Sequence, residues 1–271
     1  MKVRMYNVGF GDCFCLRDRK KSLLVDFGTN NSRIEGRPRR EIFDVIISDL
    51  STINRKNLLL THFHMDHLSG LLYLMKNRDS SLDFGKIYLP DVFSKEEMSR
   101  TLVLLLLADL LKESGLPSRQ VSLFALVDAL LENKQNVELL SRGKLFENKY
   151  QALWPDTDVI RKETDEVYNR ICEDGKFKEV MDVLLEFAEK LRLIVWSMTA
   201  EGNKPAETVE KETDLTASEL TEQPEVRQKI IRAYVYEREF RRIKALPDFK
   251  KLLAWLNENQ INLRQFKHKI S

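Results

Sequence analysis

The chain has 271 residues, 43% of them hydrophobic, enough for one large or two small domains with a proper core. Its 44 Lys and Arg nearly cancel its 42 Asp and Glu, and a net charge of +2 excludes binding to nucleic acid or membrane through bulk charge alone. Three cysteines exclude a disulfide framework, and the most apolar run, residues 102–111, is too short to span a bilayer and carries Asp109. With free thiols and no secretory signal at its start, the chain is expected in the cytoplasm, without membrane contact.

Residues 3–8 alternate as a strand does, and Gly9-Phe10-Gly11-Asp12 reads as a turn. A strand resumes over 13–17, where Cys13 and Cys15 read as two buried positions rather than as soft metal ligands. Another strand covers 22–26 and ends at Phe27-Gly28. A polar loop follows over 29–40, basic from 33 to 40. Residues 42–50 have the spacing of an amphipathic helix. Residues 57–60 form a short apolar strand that runs into Thr61-His62-Phe63-His64-Met65-Asp66-His67, with Asp66 and His67 expected on a tight turn, after which the pattern is helical to Met75. Residues 86–89 read as one more strand, closed by Pro90.

Beyond Ser94 the spacing predicts helices over 95–114 and 118–140, separated by Gly115 and Pro117, then a strand over 150–154 and helices over 164–198. Residues 199–224 are rich in Glu, Thr, Lys and Pro and predict a flexible linker. A helical region over 225–257 is interrupted near Pro247, and 261–271 reads like a strand beginning. The expected division is an N-terminal half with the histidine motif over 1–92, a helical insertion returning to a core strand over 93–156, a helical region over 157–198, the linker over 199–224, and a helical region with a terminal strand over 225–271.

Three of the four histidines lie within six consecutive residues. Neutral imidazole is the commonest protein ligand for zinc. In extended backbone, side chains two apart point the same way, so His62 and His64 would reach one ion from a strand end. Asp66 and His67 would then serve a second ion, since paired metals at roughly 3.5–4 Å can clamp one water. The expected metal ligands are His62, His64, Asp66 and His67, holding one or two Zn2+ ions, with Asp66 also the catalytic residue that orients the metal-bound hydroxide.

The run Thr61 to His67 matches the HxHxDH signature of the metallo-β-lactamase superfamily. Val8-Gly-Phe-Gly-Asp12 resembles the glycine turn between that family's first strands, and Val25-Asp26-Phe27-Gly28 resembles its strand-end aspartate–glycine element. The glycine turn and Leu153-Trp154-Pro155 are most similar to the branch that includes the hydrolase domain of bacterial DNA-uptake channel proteins. The resemblance implies an α/β fold, a metallo-β-lactamase-like αββα sandwich of which the N-terminal half is recognisable, followed by a large helical region. It makes His62, His64, Asp66 and His67 the metal ligands by matched position. It gives Asp26 a supporting role behind the ligand loop, while an Asp–x–Gly turn without a role stays open. The family's later ligands, two further histidines and a bridging aspartate, have no counterpart, and the only later histidine is His268.

The implied activity is metal-dependent hydrolysis by metal-activated water, with a phosphodiester or nucleic acid favoured over a lactam or thioester because of the branch resemblance and the basic loop 33–40. The alternative is a catalytically impaired or truncated family member that serves as a scaffold, self-associates, or is completed by a partner chain.

Overall fold

The computed structural model describes residues 1–18, 21–77, 83–112, 122–133, 135–173, 175–200 and 240–259, with 261, 263 and 266. The expected linker lies outside the described residues from residue 201 onward, as do residues 225–239, His268 and most of the expected terminal strand.

The first three strands, β1 (Lys2–Met5), β2 (Phe14–Asp18) and β3 (Lys21–Val25), pair antiparallel in sequence order. A two-residue hairpin, β4 (Arg33–Ile34) and β5 (Arg37–Pro38), leads into helix α1 (Arg39–Ser51). From there the chain alternates strand and helix, which forces parallel pairing. Strand β6 (Arg55–Leu59) joins β3, helix α2 (Met65–Lys76) crosses over, and β7 (Lys86–Pro90) joins β6. A 3-10 turn (Glu96–Met98), α3 (Ser99–Lys112) and α4 (Ser122–Glu132) precede β8 (Val137–Leu140), which pairs with β7. The result is one six-stranded mixed sheet, β1-β2-β3-β6-β7-β8. A second small hairpin, β9 (Leu145–Phe146) with β10 (Tyr150–Gln151), is followed by α5 (Thr157–Cys172), α6 (Lys178–Ser197), α7 (Phe240–Ala245) and α8 (Pro247–Glu258).

Side-chain alternation divides the sheet's faces. Cys15, Leu24, Leu58 and Ile87 lie in register on one face, fully buried beneath the helices. There α2 packs on α1 and α4, and α3 on α5 and α6. Both Cys13 and Cys15 sit in this core, as expected. On the opposite face Leu23, Tyr88 and Leu140 pack under the β9–β10 hairpin through Phe146 and Ala152. The hairpin stops short of β1, where Val3 and Met5 are 62% and 72% exposed. The α/β class agrees with expectation. Among the described residues the sandwich has one large sheet, with helices on one side and the small hairpin on the other.

Two sequence expectations shift. The helix expected over 118–140 is α4 followed by β8. Asn133 turns its side chain back to the Ala129 carbonyl, and Gln135 N–H bonds to Leu130 O, so the helix ends and Val137–Leu140 pair with β7. A short apolar run fits either period, and the partner strand decides it. The strand expected over 150–154 shrinks to Tyr150–Gln151 in the outer hairpin, so the return to the core sheet is made by β8 instead.

Candidate metal centre

Strands β3, β6 and β7 run parallel, and their carboxyl ends open on one edge of the sheet, where α/β folds place their sites. Asp26 stands at the end of β3 and the histidine segment at the end of β6. Asp26 is 3% exposed and left-handed, φ 54°, a conformation that Asp tolerates better than most residues. One of its oxygens accepts the Thr61 N–H at 2.8 Å and the other accepts the Thr61 hydroxyl at 2.7 Å.

The Thr61 oxygen also lies 2.9 Å from His62 Nδ1. Since the hydroxyl proton goes to Asp26, this contact assigns the proton on the ring to Nδ1 and leaves the lone pair on His62 Nε2. The second Asp26 oxygen is also 3.0 Å from His67 Nδ1. That nitrogen is buried and makes no aligned hydrogen bond, so proximity and charge hold the pair.

The segment departs from its expected backbone. Strand β6 ends at Leu59, residues 61–63 bend, and His64 is the extended residue before α2, with ψ 150°. Asp66 and His67 occupy the first turn of α2 rather than a tight turn, because His64 O accepts the N–H of His67 at 3.0 Å and of Leu68 at 3.2 Å. His62 and His64 still meet, edge to face with centroids 4.7 Å apart, and His62 lies 3.6 Å from the His67 ring. The bend does what strand alternation was expected to do.

The residue that sequence reasoning passed over is Asp12. Its Oδ2 is 3.8 Å from His67 Nε2, and Asp66 Oδ2 is 3.7 Å from the same nitrogen. It was read only as the last residue of a glycine turn. The signal was the turn's two glycines. A Cβ on Gly11 would stand 2.3 Å from Gly28 O and 2.7 Å from Asp66 O, and one on Gly28 would stand 2.7 Å from the Asp66 and His67 backbone. Bare backbone is the only thing that fits where these three segments meet. Hydrogen bonds fasten the junction: Phe27 N–H to His67 O at 2.7 Å, Gly70 N–H to Phe27 O at 2.8 Å, and Ser69 Oγ with both Thr29 N and O at 2.9 Å.

Burial disfavours the charged form of His67, but the Asp26, Asp66 and Asp12 carboxylates outweigh it and raise its pKa. Cys13 lies near the Asp26 and Asp12 carboxylates, and burial first, then Cys15 and these two carboxylates, push its thiol far up.

Three imidazoles and two carboxylates suit a divalent ion of the zinc type, and the Asp26–His67 contact is the outer-shell carboxylate that metal-bound histidines use. Among the described residues no group of three His, Cys, Asp or Glu is yet converged on one point. The donor chemistry fits the metal, in an open arrangement.

Among the described residues no helix is long and apolar enough to cross a membrane. Comparison with curated proteins and with solved structures found no match. Comparison with family models found one: residues 6–82, the segment that holds the glycine turn, Asp26 and the histidine cluster, match the metallo-β-lactamase superfamily.

Proposed function

We propose that the chain is a metal-dependent hydrolase, with zinc as the metal and a phosphodiester as the substrate class. The observation that carries this is the clustering of the His62, His64 and His67 rings beside Asp26, which faces the ring of His67 and, through Thr61, contacts that of His62. His62, His64, Asp66 and His67 would hold the ion. A bound divalent ion would lower the pKa of a water towards about 7, giving hydroxide at neutral pH. Asp66, part-exposed at the helix start, would accept that water's proton.

The preference for a phosphodiester rests on the exposed guanidinium groups of Arg33, Arg37, Arg39 and Arg40. The hairpin and helix start that carry them follow closely on residues 29–31, which bond to the glycine turn through Phe10. Arginine forks match phosphate oxygens. Steady-state hydrolysis of bis(p-nitrophenyl) phosphate, with and without added Zn2+, tests the reading. Metal-dependent turnover that falls when His62 and His64 are both changed to Ala supports it, and metal-independent or absent turnover contradicts it.

A second reading is a subunit whose site is completed by another chain. It draws on the open sheet face at Val3 and Met5, on edge strand β1.

A further inference from the structure

We propose that Asp12 is a further metal ligand, a carboxylate brought to the histidine cluster by the glycine turn. This rests on the metal-binding reading of the cluster and extends it to a residue outside the HxHxDH run.

The placement argues for it. With His67 Nδ1 facing Asp26, the ring's free nitrogen is Nε2, and Nε2 is flanked by Asp66 Oδ2 at 3.7 Å and Asp12 Oδ2 at 3.8 Å. Two carboxylates beside one imidazole nitrogen supply the hard oxygen and borderline nitrogen donors that a divalent cation takes. A carboxylate on an ordinary surface turn would relax away from its like-charged neighbours into water, and the Asp12 side chain is 45% exposed and free to do so. Its backbone is not. Tyr6 N–H bonds to Cys13 O at 3.0 Å, Phe10 O accepts from Asn30 N–H at 2.8 Å and from the Thr29 hydroxyl at 3.2 Å, and Gly11 rests on Gly28 and Asp66 without room for a Cβ. Every one of these contacts holds the Asp12 backbone within reach of the histidines.

The alternative is a solvated turn carboxylate that touches nothing. Titrating the metal-stripped full chain with Co2+, followed by visible d–d absorption, and with Zn2+, followed by calorimetry, separates the two. Four proteins are compared: wild type, Asp12→Asn, Asp12→Glu and the His62→Ala/His64→Ala pair. Loss of an outer-shell partner costs about 10–100-fold in metal affinity, and loss of a ligand at least that. Asp12→Asn is expected to weaken binding at least about ten-fold and to change the Co2+ spectrum, Asp12→Glu to recover part of the affinity, and the metal-free Asp12→Asn protein to melt within a few degrees of wild type. Wild-type affinity and spectrum in Asp12→Asn, alongside lost binding in the double histidine variant, overturn the role of Asp12 and leave the metal reading standing. No uptake by wild type overturns both. A large drop in the melting temperature of metal-free Asp12→Asn shows a structural role and also overturns it.

Discussion

Asp26 Oδ2 stands 3.0 Å from His67 Nδ1 while the same carboxylate receives both the N–H and the hydroxyl of Thr61. One buried group thus holds the first and last residues of the histidine run. Asn tolerates the left-handed backbone of this position, so Asp26→Asn removes the charge without adding strain. It is expected to cut metal affinity about 10–100-fold, measured by competition with a chromophoric chelator. Asp26→Ala leaves the Thr61 N–H without its acceptor and the His67 ring without its carboxylate neighbour. It is expected to destabilise the metal-free protein by about 1–3 kcal/mol in urea unfolding.

Gly28→Ala tests the junction of the turn with the helix. The added methyl would lie 2.7 Å from Asp66 and His67 backbone atoms, which cannot give way as a side-chain tip could. Overpacking of this kind costs about 1–3 kcal/mol. Thermal unfolding should show a clear drop, and metal affinity should fall with it. An unchanged melting temperature would mean that the three segments are not pressed together as described.

Glu189 gives a pH test remote from the site. Burial raises its pKa, but the Arg192 guanidinium, with Nε at 2.8 Å, and the Ser99 hydroxyl outweigh that and hold it below the ordinary 4.5. A depressed folded pKa contributes stability that is present above the unfolded value and lost as pH falls through the folded one. Wild type should therefore exceed Glu189→Gln by about 1 kcal/mol at pH 7. The gap should close in acid, below the ordinary glutamate range. A gap that stays constant down to acid pH would show that the α6–α3 tie does not depend on this charge.

Edge strand β1 makes a prediction about assembly. Val3 and Met5 expose apolar side chains on the face that the β9–β10 hairpin leaves open. Sedimentation velocity should show self-association that weakens in a Val3→Lys/Met5→Glu variant. A concentration-independent monomer would contradict it.

The histidine cluster was legible because the residue type is rare in this chain and its spacing is tight. Its backbone was not. Strand alternation put His62 and His64 on one side, whereas the observed bend and the first turn of α2 bring the rings together. A role for Asp26 was left open against a plain turn. The two bonds to Thr61 and the approach to His67 give it the supporting one. Cys13 and Cys15 were read correctly because alternation within an apolar strand depends on local pattern alone. Strand β8 was hidden because Val137-Glu-Leu-Leu140 follows a helix and is too short to declare its period. Asp12 was hidden for a different reason. A carboxylate after two glycines is ordinary turn chemistry, and only the packing of Gly11 against Gly28 and Asp66 shows what it is turned towards.

Elemental analysis of the purified full chain after mild dialysis, repeated on the His62→Ala/His64→Ala variant, tests metal binding directly. Wild type is expected to hold about one or two equivalents of zinc or a similar divalent ion, regained on titration after chelation, and the variant almost none, since a catalytic ion needs about three protein ligands. Less than about 0.2 equivalents in wild type, with none regained on titration, would contradict it.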